Sequence, residues 1–250
     1  MTSPMNIHIF SNPTELGKAA GSAAAALIRK AIAEKGTANI ILATGTSQFE
    51  TLKHLIAEPG INWSAVTMFH LDEYIGLPIT HKASFRKYLK ERFLSQVRPL
   101  KAAHLIDGEA DPVAEITRLG ALIKQHPIDV ALVGIGENGH LAFNDPPADF
   151  DTEQPYLVVL LDGPCRAQQY NEGWFASIDD VPPQAISMSV RQIMKAAHII
   201  CSVPDGRKAR AVKDSLEQPV NNMHPASILQ QHPACHIYLD HESSKWLAGR

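Results

Sequence analysis

The sequence predicts an α/β fold: a single doubly wound, mostly parallel sheet with helices on both faces. Two observations carry that prediction. Short apolar runs alternate with alanine-rich or amphipathic stretches along the whole chain, the pattern of strand–helix units. Several of the longer stretches carry start and stop residues of helices. A third observation sets the domain count: the 250 residues hold no repeat, low-complexity tract or linker-like segment, so residues 1–250 read as one domain.

In chain order, residues 6–10 are a first strand. Asn12 then caps a helix with Pro13 in its first position and Glu15 three residues after the cap, and Gly36 stops it. A strand at 39–43 breaks at Thr44-Gly45-Thr46-Ser47, and a helix covers 48–57. Strands follow at 66–71, 103–106 and 128–133, separated by helices at 84–97 and 111–125. Later strands are expected at 157–161, 185–188, 199–203 and 237–239, with a helix at 205–216 before the last. The order is Rossmann-like, and in such sheets ligands bind beyond the carboxyl ends of the strands.

Composition narrows the partners. Twenty-three basic against 26 acidic side chains give a net charge of −3, so there is no basic excess for a nucleic-acid backbone. No apolar run approaches a membrane span. Residues 1–10 lack the basic start of a secretory leader. Three cysteines without a C-x-x-C pair suit a reducing compartment. The expectation is a cytoplasmic protein with a small-molecule partner, acting as a monomer or small homo-oligomer.

Three segments after strands hold the chemistry. Thr44-Gly45-Thr46-Ser47 offers a tight turn, hydroxyl donors and a following helix N-terminus, an arrangement suited to phosphate. It lacks the Walker A spacing, and an ordinary N-cap turn is the competing reading. Phe69-His70-Leu71-Asp72-Glu73-Tyr74 ends a strand with adjacent carboxylates. On extended backbone these two point to opposite sides, so one faces a site and, if partly buried, can serve as a general base. His70 and His81 have no third ligand at metal spacing, so no metal is expected.

The third segment is the richest. Residues 134–139 satisfy G-x-G-x-x-G, but Asn144, Pro146 and Pro147 oppose the helix a dinucleotide fingerprint requires. What remains is a glycine-rich loop presenting His140, with Asn138 two residues before it and Asp145 five after. An imidazole flanked by a carboxylate and an amide can carry protons near neutral pH. Lys208, at the start of a helix where a cation gains little from the dipole, makes sense if it reaches an anion.

Together LDEYIGL at 71–77, GIGENGHLAFNDP at 134–146, Ala43-Thr44-Gly45, Lys208 and Pro225-Ala226-Ser227 resemble the glucosamine-6-phosphate deaminase/isomerase family, related to 6-phosphogluconolactonases. GHLAFNDP and the tyrosine at 74 are similar to the deaminase branch; the lactonase branch typically has arginine there. The resemblance implies that Asp72 is the general base moving a proton between C2 and C1 of an opened sugar. It implies that His140 opens the pyranose ring, supported by Asp145 and Asn138, and that Thr44, Gly45, Thr46, Ser47 and Lys208 bind phosphate. The implied reaction takes a hexosamine 6-phosphate to a ketose phosphate and ammonia, without cofactor or metal. A sugar-phosphate lactone hydrolase and a non-catalytic sugar-phosphate sensor are the alternatives.

Three departures from the family pattern set further expectations. Asp145 stands for the usual glutamate, a shortfall of about 1–1.5 Å unless the loop compensates, and misplacement on that scale can cost about a hundredfold in rate. Thr46-Ser47-Gln48 replaces the usual small residue, Thr or Ser, and Pro of the phosphate loop. Asn171 stands where deaminases carry a phosphate-binding arginine, leaving Arg166 or Arg207 as substitutes. The acidic run at 149–153 also predicts no activation by a second sugar phosphate.

Overall fold

The structure, a computed structural model, describes residues 5–248; the leader reading at residues 1–4 lies outside them. Ten strands occur in chain order: β1 (Asn6–Phe10), β2 (Ala38–Leu42), β3 (Val66–His70), β4 (Asp72–Tyr74), β5 (Ala102–His104), β6 (Val130–Val133), β7 (Tyr156–Leu160), β8 (Gln184–Met188), β9 (His198–Val203) and β10 (Cys235–Asp240). The helices are α1 (Pro13–Lys35), α2 (Phe49–Ala57), α3 (Phe85–Leu89), α4 (Pro112–Lys124), α5 (Gly163–Asn171), α6 (Val190–Met194), α7 (Ala209–Glu217) and α8 (His241–Ser244). Cap signals read from the sequence are used as expected. The Asn12 side chain accepts from Glu15 N at 2.9 Å, and Gly36 closes α1 at φ 76°. The helix expected at 84–97 is shorter: α3 passes into a single π turn, Lys90–Leu94.

Seven strands form one parallel sheet in the order β1-β10-β9-β6-β2-β3-β5. Along the inner strands successive side chains feed opposite layers. Ile40 and Leu42 pack with Leu16, Ile28 and Leu55 of α1 and α2, whereas Ile41 packs with Leu119 and Ile123 of α4. Both faces are covered, which is why β3 and β6 are buried at every residue. The α/β, mostly parallel class is therefore as expected.

The expectation of a single sheet needs one correction. Segments 157–161 and 185–188, read as strands of the main sheet, belong to a separate three-stranded antiparallel sheet, β4-β8-β7. The physical reason lies in burial. β7 has one wet face, with Val158 39% and Leu160 73% exposed, and a strand covered on one side only suits an antiparallel outer layer. Its all-apolar sequence, YLVVL, hides that alternation. Tyr74, Phe85, Phe143, Phe175 and Ala185 build a third apolar cluster beneath this sheet.

The strand order also locates a crevice. From β2 the chain winds outward through β3 to β5, then returns to β6 on the other side of β2. The loops after β2 and β6 therefore diverge, the usual place for a ligand in an open α/β sheet.

Candidate active site

A cleft opens at that divergence. It is lined by the loop after β2, by Asp72, by the loop after β6 including His140, and by Gln168, Gln169, Glu172 and Lys208. The G-x-G-x-x-G match at 134–139 starts no helix; the segment is a turn. Its glycine at 136 serves another purpose. A Cβ there would lie 2.2 Å from the His140 ring, so the imidazole rests directly on bare backbone.

Asp72 and Glu73 face opposite ways, as extended backbone requires. Asp72 lines the cleft, and its carboxyl is pushed up to about 8, first by burial and then by the charge of Glu73. Glu73 turns inward and is fully buried. It accepts from Tyr74 N at 3.0 Å, Ser84 Oγ at 2.9 Å, Phe85 N at 3.1 Å and Arg86 N at 2.8 Å. It thus ties β4 to the first turn of α3 and satisfies amides that the helix start would leave unpaired. Burial raises its pKa, opposed by those hydrogen bonds. His70 is buried in the core, where desolvation and Arg86 hold its pKa down to about 3.

His140 Nδ1 lies 3.0 Å from Asp145 Oδ1, approaching off the ideal hydrogen-bond direction. The shortfall expected from the shorter acid does not arise, because the loop brings Asp145 to the ring. Burial raises the Asp145 pKa, but the close approach and charge of His140, together with the hydrogen bonds from Asn138 and Asp162 N, outweigh it, and the net shift is downward. Asn138 Nδ2 donates to Asp145 Oδ1 at 3.0 Å and to Asp162 at 3.1 and 3.2 Å, while its Oδ1 accepts from His140 N at 3.1 Å. The amide thereby separates two carboxylates and fixes the backbone that carries the imidazole.

Asp162 was not singled out from the sequence, although Asp162-Gly163-Pro164 is a cap signal like Asn12-Pro13. It caps α5 through Cys165 N at 2.6 Å and donates its own N–H to Asp145 Oδ2 at 3.0 Å. His140, Asp145 and Cys165 offer donor atoms within 4.8 Å of one another, the candidate set for a metal ion among the described residues. Burial, first, and the neighbouring carboxylates push the Cys165 thiol pKa well up, which keeps it in the protonated form that binds metal poorly.

The loop after β2 turns at Gly45, whose φ of 88° and ψ of 175° favour glycine. Thr46–Gln48 form a 3-10 turn leading into α2. Gln48, buried, ties this loop to β6 through Val133 O at 3.2 Å. Thr44 Oγ1 is buried without a hydrogen-bond partner. Lys208 is buried, and desolvation lowers its pKa against the raising influence of Glu172.

Of the expected substitutes for the missing arginine, Arg166 lies elsewhere, while Arg207 stands beside the loop after β2, lining a neighbouring hollow with Thr46, Ser47 and Lys208. Asn171 is exposed, Arg166 donates to Ile178 O at 2.8 Å, and Arg207 pairs with Asp205 at 2.6 Å and Glu137 at 3.5 Å. From this segment Gln168, Gln169 and Glu172 line the cleft, none of which the sequence suggested, and Glu172 is the charged one. Thr46, Gln168 and Trp174 donate to it, and Lys208 Nζ stands 3.8 Å away.

The chain is similar to known proteins over nearly its whole length. A glucosamine-6-phosphate deaminase of Lactobacillus delbrueckii subsp. bulgaricus is 36% identical over 244 residues, covering 97% of this chain and 100% of that relative. One of Streptococcus suis is 37% identical over the same span. A solved monomeric glucosamine-6-phosphate deaminase superposes with a TM-score of 0.88 at 30% identity, over 96% of this chain and 99% of that one. The 6-phosphogluconolactonase of Trypanosoma brucei, at 20% identity and a TM-score of 0.78 over 99% of this chain and 100% of that one, shares the fold. The family described as glucosamine-6-phosphate isomerases/6-phosphogluconolactonase matches residues 11–237, and the chain belongs to it.

Proposed function

We propose that the protein is an amino-sugar-phosphate deaminase/isomerase that converts glucosamine 6-phosphate or a similar hexosamine phosphate to a ketose phosphate and ammonia. One observation carries this reading: Asp72 and His140 line one cleft together with the loop from Thr44 to Ser47 and Lys208. His140, oriented by Asp145, relays the proton that opens the pyranose ring. Asp72 then takes the C2 proton and, after exchange with solvent, delivers a proton at C1. A carboxyl poised near 8 is matched to such transfers close to neutral pH. Asn138, which is not part of the cleft lining, positions His140 through that residue's backbone N–H. Water adds at C2 as ammonia leaves. The chain needs no cofactor or metal for these steps and acts as one domain.

The monomeric structural relative favours a monomer. No helix among the described residues is long and apolar enough to cross a membrane, and the three cysteines are free and buried. Both fit a cytoplasmic enzyme.

The test is incubation of the purified protein with glucosamine 6-phosphate and galactosamine 6-phosphate in deuterated water. Ammonia release with deuterium at C1 of the product is the expected result. No ammonia from either sugar, together with hydrolysis of 6-phosphogluconolactone, would overturn the reading in favour of the lactonase alternative. Tight sugar-phosphate binding without turnover of any substrate would leave a sensor.

A further inference from the structure

The phosphate end of the cleft already holds an anion, and it belongs to the chain itself. The Glu172 side chain is 4% exposed. Its oxygens accept from Thr46 Oγ1 at 3.3 Å, Gln168 Nε2 at 2.9 Å and Trp174 Nε1 at 3.2 Å. Lys208 Nζ, 5% exposed, completes the set at 3.8 Å. Among the described residues Lys208 is the only lysine or arginine lining the cleft, and Glu172 balances its charge. Hydroxyl, amide, indole and ammonium donors converging on two oxygens are what a phosphoryl group would ask of this wall.

We propose that Glu172 is a specificity-determining residue, an internal anion seated in the phosphate cradle that an incoming phosphate must displace. This rests on the deaminase reading above and adds to it how the substrate's phosphate is recognised. Unliganded, the carboxylate is the strongest counter-charge of this buried lysine, with Glu137 and Asp205 contributing less. A phosphate dianion cannot share Thr46 and Lys208 with it, because like charges held this close in a poorly solvated cleft repel strongly. Displacement therefore subtracts from the affinity for the phosphoryl group and not from the affinity for the sugar ring. With Asn171 exposed and no arginine fork present, the cleft discriminates between phosphorylated and unphosphorylated amino sugars less than an open cationic cradle would.

The decisive variant is Glu172→Gln, which removes the charge and keeps the shape. Inorganic phosphate, titrated by calorimetry, is expected to bind the variant roughly ten- to a hundredfold more tightly than the wild type. The ratio of kcat/KM for glucosamine 6-phosphate over glucosamine should rise by a similar factor, through KM. Unchanged or weaker phosphate binding by the folded variant would overturn the proposal. If the variant does not fold, the wild type supplies the test through the indole N–H resonance of Trp174. Saturating phosphate should shift it as the bond to Glu172 is lost, and an unmoved resonance overturns the proposal. Absence of ammonia from wild type and variant alike would defeat the deaminase reading separately, leaving the phosphate titration to decide the role of Glu172.

Discussion

The proton-transfer end of the cleft and its anion end both depart from the pattern expected of the family, yet they absorb the departure differently. At the first end the exchange is a shorter acid, and the backbone accommodates it. Asp145 reaches His140 at 3.0 Å while also accepting from Asn138 and from Asp162 N. At the second end no arginine lines the cleft, and Arg207, beside the loop after β2, is engaged by Asp205 and Glu137. A carboxylate, Glu172, takes the space and the donors instead. The contrast teaches that a loop held by several hydrogen bonds can recover a missing methylene, whereas a missing charge leaves an electrostatic vacancy that the nearest buried acid can invert.

Substitutions can break or sharpen that contrast. The largest effect is expected from Asp72→Asn, which removes the proposed base while keeping its size. Ammonia release should fall by about 10²–10⁴-fold, read as kcat under saturating glucosamine 6-phosphate. Next comes Asp145→Asn, which removes the anion beside His140 and should lower kcat about a hundredfold. Asp145→Glu, although closer to the family pattern, should also lower kcat, by about tenfold, because the shorter acid already makes the contact and an extra methylene must be forced into a buried site. A gain in kcat from Asp145→Glu would show that the loop does not truly compensate.

The wild-type pH profile gives a subtler check. With the Asp72 pKa near 8, kcat/KM should climb as pH rises through that value, far above the ordinary carboxylate range. The smallest effect concerns stability. Folded Asp72 keeps its proton up to about pH 8, whereas the unfolded chain releases it near 3.8, the ordinary value for an aspartate. The stability linked to this proton is therefore fully present below pH 3.8 and is lost as pH rises through 8. Asp72→Asn mimics the neutral acid, so its advantage should be negligible at pH 4 and greatest at pH 8 or above. It should amount to about 2–4 °C in Tm for each kcal/mol of relieved charge burial. A Tm difference independent of pH would mean that Asp72 is not held neutral.

Much of this was legible in the chain. Asn12, Pro13, Glu15 and Gly36 marked α1 because capping is local chemistry, set by residues within one turn. The opposed facing of Asp72 and Glu73 follows from strand geometry alone, and the proline-bearing segment after Gly139 correctly argued against a helix there. The departure of β7 and β8 from the main sheet was not legible, since five apolar residues do not reveal which face is wet. Nor was Glu172. In Asn171-Glu172-Gly173-Trp174 it reads as a polar turn, and its burial is created by Thr46, Gln168 and Lys208, partners remote in sequence or on another turn. Asp162 lies between these cases: its cap was visible locally, its grip on Asp145 was not.

The imidazole of His140 rests on residue 136 with only a hydrogen atom between ring and main chain. Even a methyl group there would collide with three ring atoms at 2.2–2.4 Å, so alanine would evict the ring or buckle the loop. The freedom of this ring to tumble or withdraw is thereby restricted on one side by a floor that no rotamer change can lower. Whatever the substrate, it meets an imidazole pinned from below, and variation at that floor is closed to the chain unless the histidine goes with it.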